Sequence, residues 1–186
     1  MARVLVPLAE GCEELEAVTV IDLLRRAGIE VISAGLEQGS IKASRGMVLV
    51  PDMTLDQALD SAQADYDMVV LPGGLPGADH LNNDSRIQKL ITEMNQQQRY
   101  VAAICAAPKV LARAGLLNGR KATAYPGVLQ ALAVPGLSIQ QETAVVVDEK
   151  VITSRGPGTA MNFALTLIEI LVGQDKRDEV EQGLCG

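Results

Sequence analysis

The chain has very few aromatic side chains. Among its 186 residues there are no Trp, one Phe and three Tyr, whereas hydrophobic residues together make up 48%. The core must therefore be aliphatic, and the length suits one domain. A surface that stacks unpaired bases needs aromatic rings. Because the net charge is also −7 and no Lys/Arg cluster occurs, we expect no nucleic acid partner.

Long hydrophobic runs and regularly spaced cysteines are missing as well. No apolar run approaches the roughly 18 to 20 residues that cross a bilayer, so we expect no membrane partner. Acidic residues follow the apolar stretch at 4–8, which we interpret as a first strand and not as a signal peptide. The three cysteines, Cys12, Cys105 and Cys185, match neither a disulfide framework nor metal-ligand spacing. We therefore expect a reducing, cytoplasmic location.

Histidine occurs only once, as His80, which we interpret as a surface residue. A Cys–His pair would have to use it, because no histidine follows Cys105. The chain also lacks a G-x-x-x-x-G-K-[ST] loop and a G-x-G-x-x-G turn after its first strand. These absences disfavour phosphoryl transfer and a dinucleotide cofactor.

Short apolar runs recur along the chain and predict buried strands. They lie at 4–6, 31–32, 68–71, 101–104, 145–147 and 151–152. Uninterrupted runs of this kind are typical of strands buried on both faces, as in a parallel sheet covered by helices.

Helical patterns separate these runs. Leu15, Val18, Ile21 or Asp22, and Arg25 recur at intervals of three or four before Gly28, and similar stripes cover 87–94 and 161–172. The alternation predicts one α/β domain over 1–186, with a doubly wound, mostly parallel sheet sandwiched by helices. Ligands bind such sheets at the carboxyl ends of the strands.

Cys105 is the strongest candidate nucleophile. It ends a predicted strand, and Pro108 follows where a first helical turn tolerates proline. Such a strand–turn–helix elbow lifts a nucleophile into a cleft, and a helix N-terminus favours the thiolate. The alternative is a buried core cysteine.

Four further segments hold candidate site residues, each with a simpler alternative. Gly73 and Gly74 either form a turn or present backbone N–H groups to an anion. Glu16 either faces solvent in the first turn of its helix or acts in the site. Arg45 and Arg155 either make surface salt bridges or hold a carboxylate.

In combination these segments resemble the ThiJ/PfpI superfamily, and closely its Parkinsonism-associated DJ branch. The matching motifs are EGCEELEA at 10–17, DLLRRAG at 22–28, SRG at 44–46, LPGG at 71–74, AAICAAP at 102–108 and TSRGPGTA at 153–160. They occur in family order over nearly the whole chain, and the ordered set is specific.

The resemblance implies a flavodoxin-like α/β sandwich that forms a homodimer and uses no metal and no organic cofactor. It implies that Cys105 is the nucleophile and that protonated Glu16 hydrogen-bonds the thiolate. It further implies a backbone anion pocket at Gly73, Gly74 and Ala106.

Arg45 and Arg155 would flank this site. Two departures from the family pattern concern Tyr125, which stands where several members have His, and Cys12, which replaces a small residue. Ala106 follows the nucleophile where the protease-like branch has His, which disfavours peptide hydrolysis.

The resemblance implies two candidate functions. The first is a glyoxalase- or deglycase-like enzyme that acts on methylglyoxal, glyoxal or glycated adducts through a Cys105 hemithioacetal, with Glu16 as general acid and base. The second is a redox-sensing or chaperone-like protein whose Cys105 is oxidised. The same residues serve both functions, so the motifs do not separate them.

Overall fold

The computed structural model describes residues 1–60 and 64–185; residues 61–63 and 186, which the predicted single domain includes, lie outside the described residues. The strands are β1 (Arg3–Leu8), β2 (Glu30–Gly35), β3 (Ile41–Lys42), β4 (Val48–Leu49), β5 (Met53–Thr54), β6 (Met68–Leu71), β7 (Tyr100–Ile104), β8 (Lys121–Ala122), β9 (Ser138–Ile139), β10 (Val145–Asp148) and β11 (Val151–Ser154). The helices are α1 (Glu14–Arg26), α2 (Leu55–Asp60), α3 (Gly77–Asn83), α4 (Ser85–Gln96), α5 (Pro108–Arg113), α6 (Ala160–Val172) and α7 (Gln174–Gly183).

Seven of the strands form the central sheet, in the order β10-β11-β7-β6-β1-β2-β5. All neighbours in it are parallel except β10 and β11, which pair antiparallel at one edge. The predicted doubly wound, mostly parallel sheet is therefore confirmed.

Aliphatic side chains cover both faces of this sheet. Val4 and Val6 of β1 belong to the core beneath α1 and α6, whereas Leu5 belongs to the core beneath the helices of the opposite face. This alternation follows from the two-residue period of a strand. The only Phe, Phe163, is fully buried on α6.

The residues whose spacing predicted α1 do not form its core face. Leu15 and Val18 are 50% and 42% exposed, whereas Ala17, Val20 and Leu24 contact the core. The helix is turned in this way because Glu16 is buried. As a result α1 has a core face and a second, exposed apolar face.

The sheet brings four loops together at its carboxyl edge. β1 is followed by α1 on one face, whereas β6 is followed by α3, which packs with α4 and α5 on the other face. Helices that leave neighbouring strands on opposite faces open a crevice between them, and ligands bind in such crevices. The loops after β1, β6, β7 and β11 surround it. None of the helices in the described part of the chain is long and apolar enough to cross a membrane.

Candidate active site

Cys105 occupies a strained turn directly after β7. Its φ is 64°, in the left-handed region that costs a non-glycine residue roughly 1–3 kcal/mol. Two backbone hydrogen bonds hold the turn: the Cys105 N–H donates to the Ser154 carbonyl (3.0 Å), and the Cys105 carbonyl accepts from the Tyr125 N–H (2.9 Å). The neighbouring strand and loop therefore maintain the geometry that positions the thiol.

Glu16 meets this thiol from α1. The side chain is fully buried, which excludes the alternative of a solvated carboxylate. Oε2 accepts the Gly73 N–H at 2.8 Å, and a side-chain hydrogen bond joins the carboxyl group to the Cys105 thiol. Oε1 has no hydrogen-bond partner among the described residues.

Gly73 allows this close approach because it has no side chain. A Cβ on Gly73 would lie 2.6 Å from Cβ of Cys105 and 2.8 Å from Oε2 of Glu16. The Gly73 carbonyl also accepts the Glu13 N–H (3.0 Å), so the β6 loop is bonded to the start of α1 twice. Since its N–H donates to Glu16, Gly73 contributes to the site through the carboxyl group and not as a donor to sulfur.

Backbone N–H groups of Gly74 and Ala106 form hydrogen bonds to the Cys105 sulfur. Gly74 has φ 86°, and a Cβ there would lie 2.3 Å from the Glu13 nitrogen, so the turn requires glycine. α5 has only six residues and starts at Pro108. A helix this short has only a small dipole. The N–H groups of Gly74 and Ala106, and not the expected helix N-terminus, are therefore the main groups that would stabilise a thiolate.

Burial and mutual repulsion control the ionisation of the pair. Burial raises the pKa of Glu16 to about 7, against the opposing effect of the Gly73 N–H. Burial, followed by the charge of Glu16, raises the pKa of Cys105 to about 12, against the opposing effect of the Gly74 N–H. Two adjacent negative charges are unfavourable here, so the pair releases one proton well before the second.

Glu14, which the sequence did not single out, fixes the loop that contains Arg45. Its carboxylate accepts the backbone N–H groups of Arg45 (2.9 Å) and Met47 (3.4 Å) and the Ser44 hydroxyl (3.0 Å). Although burial acts to raise it, these hydrogen bonds hold the pKa of Glu14 below its ordinary value. The only available signal was its position beside Glu16 in the acidic motif.

The Arg45 side chain is exposed and forms no ion pair with the described residues. The structure therefore places its backbone beside the start of α1 and leaves its charge facing solvent. Neither alternative for its side chain, a surface salt bridge or a held carboxylate, is seen.

Tyr125 and Gly156 both lie close to the thiol. A Cβ on Gly156 would come 3.3 Å from Cδ2 of Tyr125 and 4.0 Å from Sγ of Cys105, so Gly156 faces both the ring and the sulfur and has little room for a side chain. Arg155 precedes Gly156, and its guanidinium lies 3.9 Å from the Glu142 carboxylate. The role of Gly156 was missed by sequence reasoning, although it belongs to the matched motif at 153–160.

The remaining thiols and the histidine do not touch the pair. Cys12 is a free, fully buried thiol in the loop after β1, and burial raises its pKa to about 11. Cys185 is exposed near the end of the chain. His80 is exposed on α3 and lines a separate cavity. Among the described residues, no group of His, Cys, Asp and Glu side chains could hold a metal ion.

We predict that Gly73→Ala damages the site, because the new methyl group overlaps both Cys105 and Glu16. Overpacking of this kind costs roughly 1–3 kcal/mol of unfolding free energy. We expect at least that loss in urea unfolding, together with an altered rate of Cys105 alkylation by iodoacetamide.

Gly158→Ala is the matched control. A Cβ there has no neighbour within 4 Å, so we expect unfolding free energy within about 0.5 kcal/mol of the original and unchanged alkylation. A Gly73→Ala protein that is indistinguishable from this control would contradict the close packing described here.

Comparison with known proteins agrees with this geometry. The DJ-1/PfpI family model matches residues 2–170. The crystal structure of Drosophila melanogaster DJ-1beta superposes with a TM-score of 0.92 at 42% identity, covering 99% of this chain and 97% of that chain. The Caenorhabditis elegans glutathione-independent glyoxalase DJR-1.2 is 34% identical over 99% of this chain and 95% of its own length.

An Arabidopsis thaliana relative, protein DJ-1 homolog B, is 42% identical over 96% of this chain, which spans only 40% of that relative. The match of the family model to nearly the whole chain, with relatives above 30% identity and the expected fold, leads to one conclusion. This protein is a member of the DJ-1/PfpI family.

Proposed function

We propose that this protein protects against reactive carbonyls by converting dicarbonyls such as methylglyoxal and glyoxal to 2-hydroxy acids. The observation that carries the proposal is the buried Glu16 carboxyl group, hydrogen-bonded to the free thiol of Cys105. This pair combines a nucleophile with an acid whose pKa is about 7, near the pH at which proton transfer in both directions is efficient. The glyoxalase relative in Caenorhabditis elegans supports the same substrate class.

The reactive form of the pair is a thiolate beside a protonated Glu16. The sulfur has two N–H donors, from Gly74 and Ala106, whereas the carboxyl group has only the Gly73 N–H. A proton on Oε1 also gives this otherwise unpartnered oxygen a hydrogen bond to donate, toward the sulfur. Donor number therefore favours negative charge on Cys105, against burial and the charge of Glu16, which together raise the pKa of the thiol above that of the carboxyl group.

Catalysis then needs no group beyond the pair and water. The thiolate adds to the aldehyde carbon, and Glu16 protonates the resulting oxyanion to give a hemithioacetal. Glu16, now a carboxylate, removes the proton from that carbon and returns it to the adjacent carbon, while the hydroxyl proton moves to the adjacent oxygen, which leaves a thioester. Water cleaves the thioester, so that a 2-hydroxy acid is released and the thiol is restored. Early adducts of dicarbonyls with amines would enter the same route once the sulfur displaces the amine, which leaves with the proton of Glu16.

We predict that Cys105→Ser abolishes methylglyoxal turnover and that Glu16→Gln lowers it by roughly two orders of magnitude, the usual scale for losing general acid–base catalysis. Gln keeps a hydrogen-bond donor but cannot transfer a proton. Steady-state kinetics, with enantiomer analysis of the lactate formed, measures turnover. The pH profile of Cys105 alkylation checks that Glu16→Gln keeps an ionisable thiol.

His80→Ala is the control for this prediction, because its side chain is exposed and lines a cavity that no residue of the pair lines. Its turnover should stay within about threefold, a barrier change below roughly 1 kcal/mol. If Glu16→Gln turned over methylglyoxal at the original rate, Glu16 would not be the proton shuttle and the mechanism would be wrong.

A second candidate function is redox sensing or chaperone-like protection in a reducing cytoplasm. It would depend on oxidation of the same thiol. The backbone N–H groups of Gly74 and Ala106 that face sulfur would also donate hydrogen bonds to the oxygen atoms of a sulfinate. Negligible dicarbonyl turnover together with protection of a client protein from aggregation would favour this function.

We predict that limiting peroxide modifies Cys105 before Cys12 or Cys185. Cys12 is fully buried with a raised pKa, and Cys185 lies near the end of the chain, away from the N–H groups that stabilise charge at Cys105. Peptide mass mapping over time gives the order, with Cys185→Ser as a control that leaves Cys105 oxidation unchanged. First modification at another cysteine would exclude Cys105 as the sensitive thiol.

The exposed apolar face of α1 supports the proposal that the protein is a homodimer. Leu15 and Val18 are exposed there, beside the segment from Met47 to Val50, in which Met47, Val48 and Val50 are 53%, 63% and 81% exposed. Glu14 bonds this segment to the first turn of α1. An exposed apolar surface of this kind is typical of a subunit interface, and a two-fold dimer is the commonest oligomer.

The dimer interface would also include the later turns of α1. Asp22 and Arg26 form an ion pair with each other at 2.6 Å, and Arg25 pairs with Asp52 at 2.7 Å. These groups are satisfied within one chain, so the apolar residues and not the charges supply most of the association energy in this proposal.

We predict that Val48→Glu converts a dimer into a 19.7 kDa monomer, because it places a charge on the exposed apolar face. Val147→Glu, on the edge strand β10 and 49% exposed, is the matched control and should leave the dimer intact. Sedimentation at micromolar concentration distinguishes the two. A monomeric original protein would contradict the proposal.

A further inference from the structure

A small cavity is lined by residues next in sequence to those that contact Cys105, and it includes neither member of the catalytic pair. Its volume is about 200 Å³; Ala124 and Pro126, which line it, flank Tyr125, and Arg155, which also lines it, precedes Gly156. Gln130, Gln141 and Glu142 are the polar side chains that line the rest. This volume is below the range of about 300–1,000 Å³ that is typical for drug-sized ligands, so an occupant would be small.

Arg155 is poorly matched by the protein groups around it. Its side chain is 32% exposed, yet its ion-pair partner is Glu142 at 3.9 Å, which is itself 91% exposed. No hydrogen bond from the guanidinium to any of the described residues is seen, whereas Arg86 and Arg99 each form several short ones. A guanidinium has five donors in a planar fork, so Arg155 retains its bonding capacity for a ligand.

We propose that this cavity is a carboxylate-binding subsite, with Arg155 as the anion-binding group and the amides of Gln130 and Gln141 as neutral partners. Arg and carboxylate form two parallel charge-assisted hydrogen bonds, which match the planar donors of Arg155. A carboxylate in the cavity would replace the long contact to Glu142. Gln side chains donate to the same oxygen atoms without adding opposing charge.

The subsite is adjacent to the thiol along two chain segments. Ala124 and Pro126 line the cavity, and Tyr125 between them has its backbone N–H on the Cys105 carbonyl. Arg155 lines the cavity, and Gly156 after it faces both Tyr125 and the sulfur. In turnover the subsite would hold the 2-hydroxy acid product or the carboxylate of an amino-acid adduct. This role rests on the proposed function.

The test is direct binding to the Cys105→Ser protein, which cannot turn over dicarbonyls. Isotope-labelled protein is titrated with lactate, and the side-chain NH₂ signals of Gln130 and Gln141 and the guanidinium signal of Arg155 are followed by NMR. We expect these signals to shift with lactate but not with lactamide, its neutral counterpart. Equal shifts with both compounds, or shifts confined to other residues, would overturn the subsite.

Two variants should act in opposite directions. Arg155→Gln should weaken lactate binding by roughly tenfold or more, the scale of lost hydrogen bonds to a charged group. Glu142→Gln removes the competing carboxylate and should tighten binding by roughly two- to fivefold, the scale of an exposed ion pair. Lys89→Gln, with its side chain 75% exposed on α4, is the charge-matched control and should change nothing. Unchanged binding in Arg155→Gln would exclude the assignment.

A parallel titration with N-acetylalanine identifies the source of the carboxylate. Tighter binding of N-acetylalanine assigns the subsite to amino-acid adducts, and tighter binding of lactate assigns it to the free acid; both results support a carboxylate subsite. Because these measurements do not depend on turnover, the two proposals fail separately. Dicarbonyl turnover without lactate binding excludes only the subsite, and lactate binding without turnover in the original protein excludes only the enzyme.

Discussion

The contact between Gly73 and Glu16 is the constraint on which the rest of the site depends. One N–H group of the β6 loop holds a fully buried carboxyl group, and the absence of a side chain at Gly73 lets that group reach Cys105. Three separate elements, α1, β6 and β7, meet at this point. A buried carboxyl group is costly unless it is hydrogen-bonded, so this contact also determines which face of α1 packs on the sheet. The exposed apolar residues of α1 are a consequence of that orientation.

Burial gives the pair its chemical character. In water a carboxylic acid and a thiol ionise about four pH units apart and independently. In this pocket burial raises the pKa of both groups and the charge of Glu16 raises that of the thiol further, whereas the N–H groups of Gly74 and Ala106 draw the single negative charge toward sulfur. A proton that moves between Glu16 and a bound oxyanion would then be available in a site that holds no histidine. The same arrangement would let one pocket serve both proposed reactions, carbonyl addition and sulfur oxidation.

The sequence was most informative where patterns are local and least informative where packing decides. Uninterrupted apolar runs predicted the parallel strands, and the ordered motifs predicted that Cys105 and Glu16 belong together. Spacing by threes picked out Leu15 and Val18, which are exposed. Ala17, Val20 and Leu24 form the core face of α1, and no helical period reveals that Glu16 is buried beside them. The two-residue strands β3 and β4 and the polar helix α7 have too little apolar pattern to be seen. The contacts of Gly156 and the hydrogen bond from the Arg45 N–H to Glu14 join residues that are distant in the chain. Reasoning from a single sequence does not bring such residues together.

The two reactions proposed for Cys105 share the same sulfur and differ in what Glu16 must do. Cys105 is only 9% exposed, and Gly156, with Tyr125 next to it, faces its sulfur. A small neutral dicarbonyl and a peroxide molecule would both have to reach this nearly buried atom, and both need the same thiolate. They differ in what must happen next, since carbonyl conversion requires Glu16 to give up and regain a proton, whereas peroxide needs only the attack of sulfur on oxygen. In these proposals carbonyl chemistry depends on the carboxyl group, and redox sensing depends on the N–H groups that would stabilise the oxidised sulfur. The proton of Glu16 is therefore the feature whose removal would separate the two proposed functions.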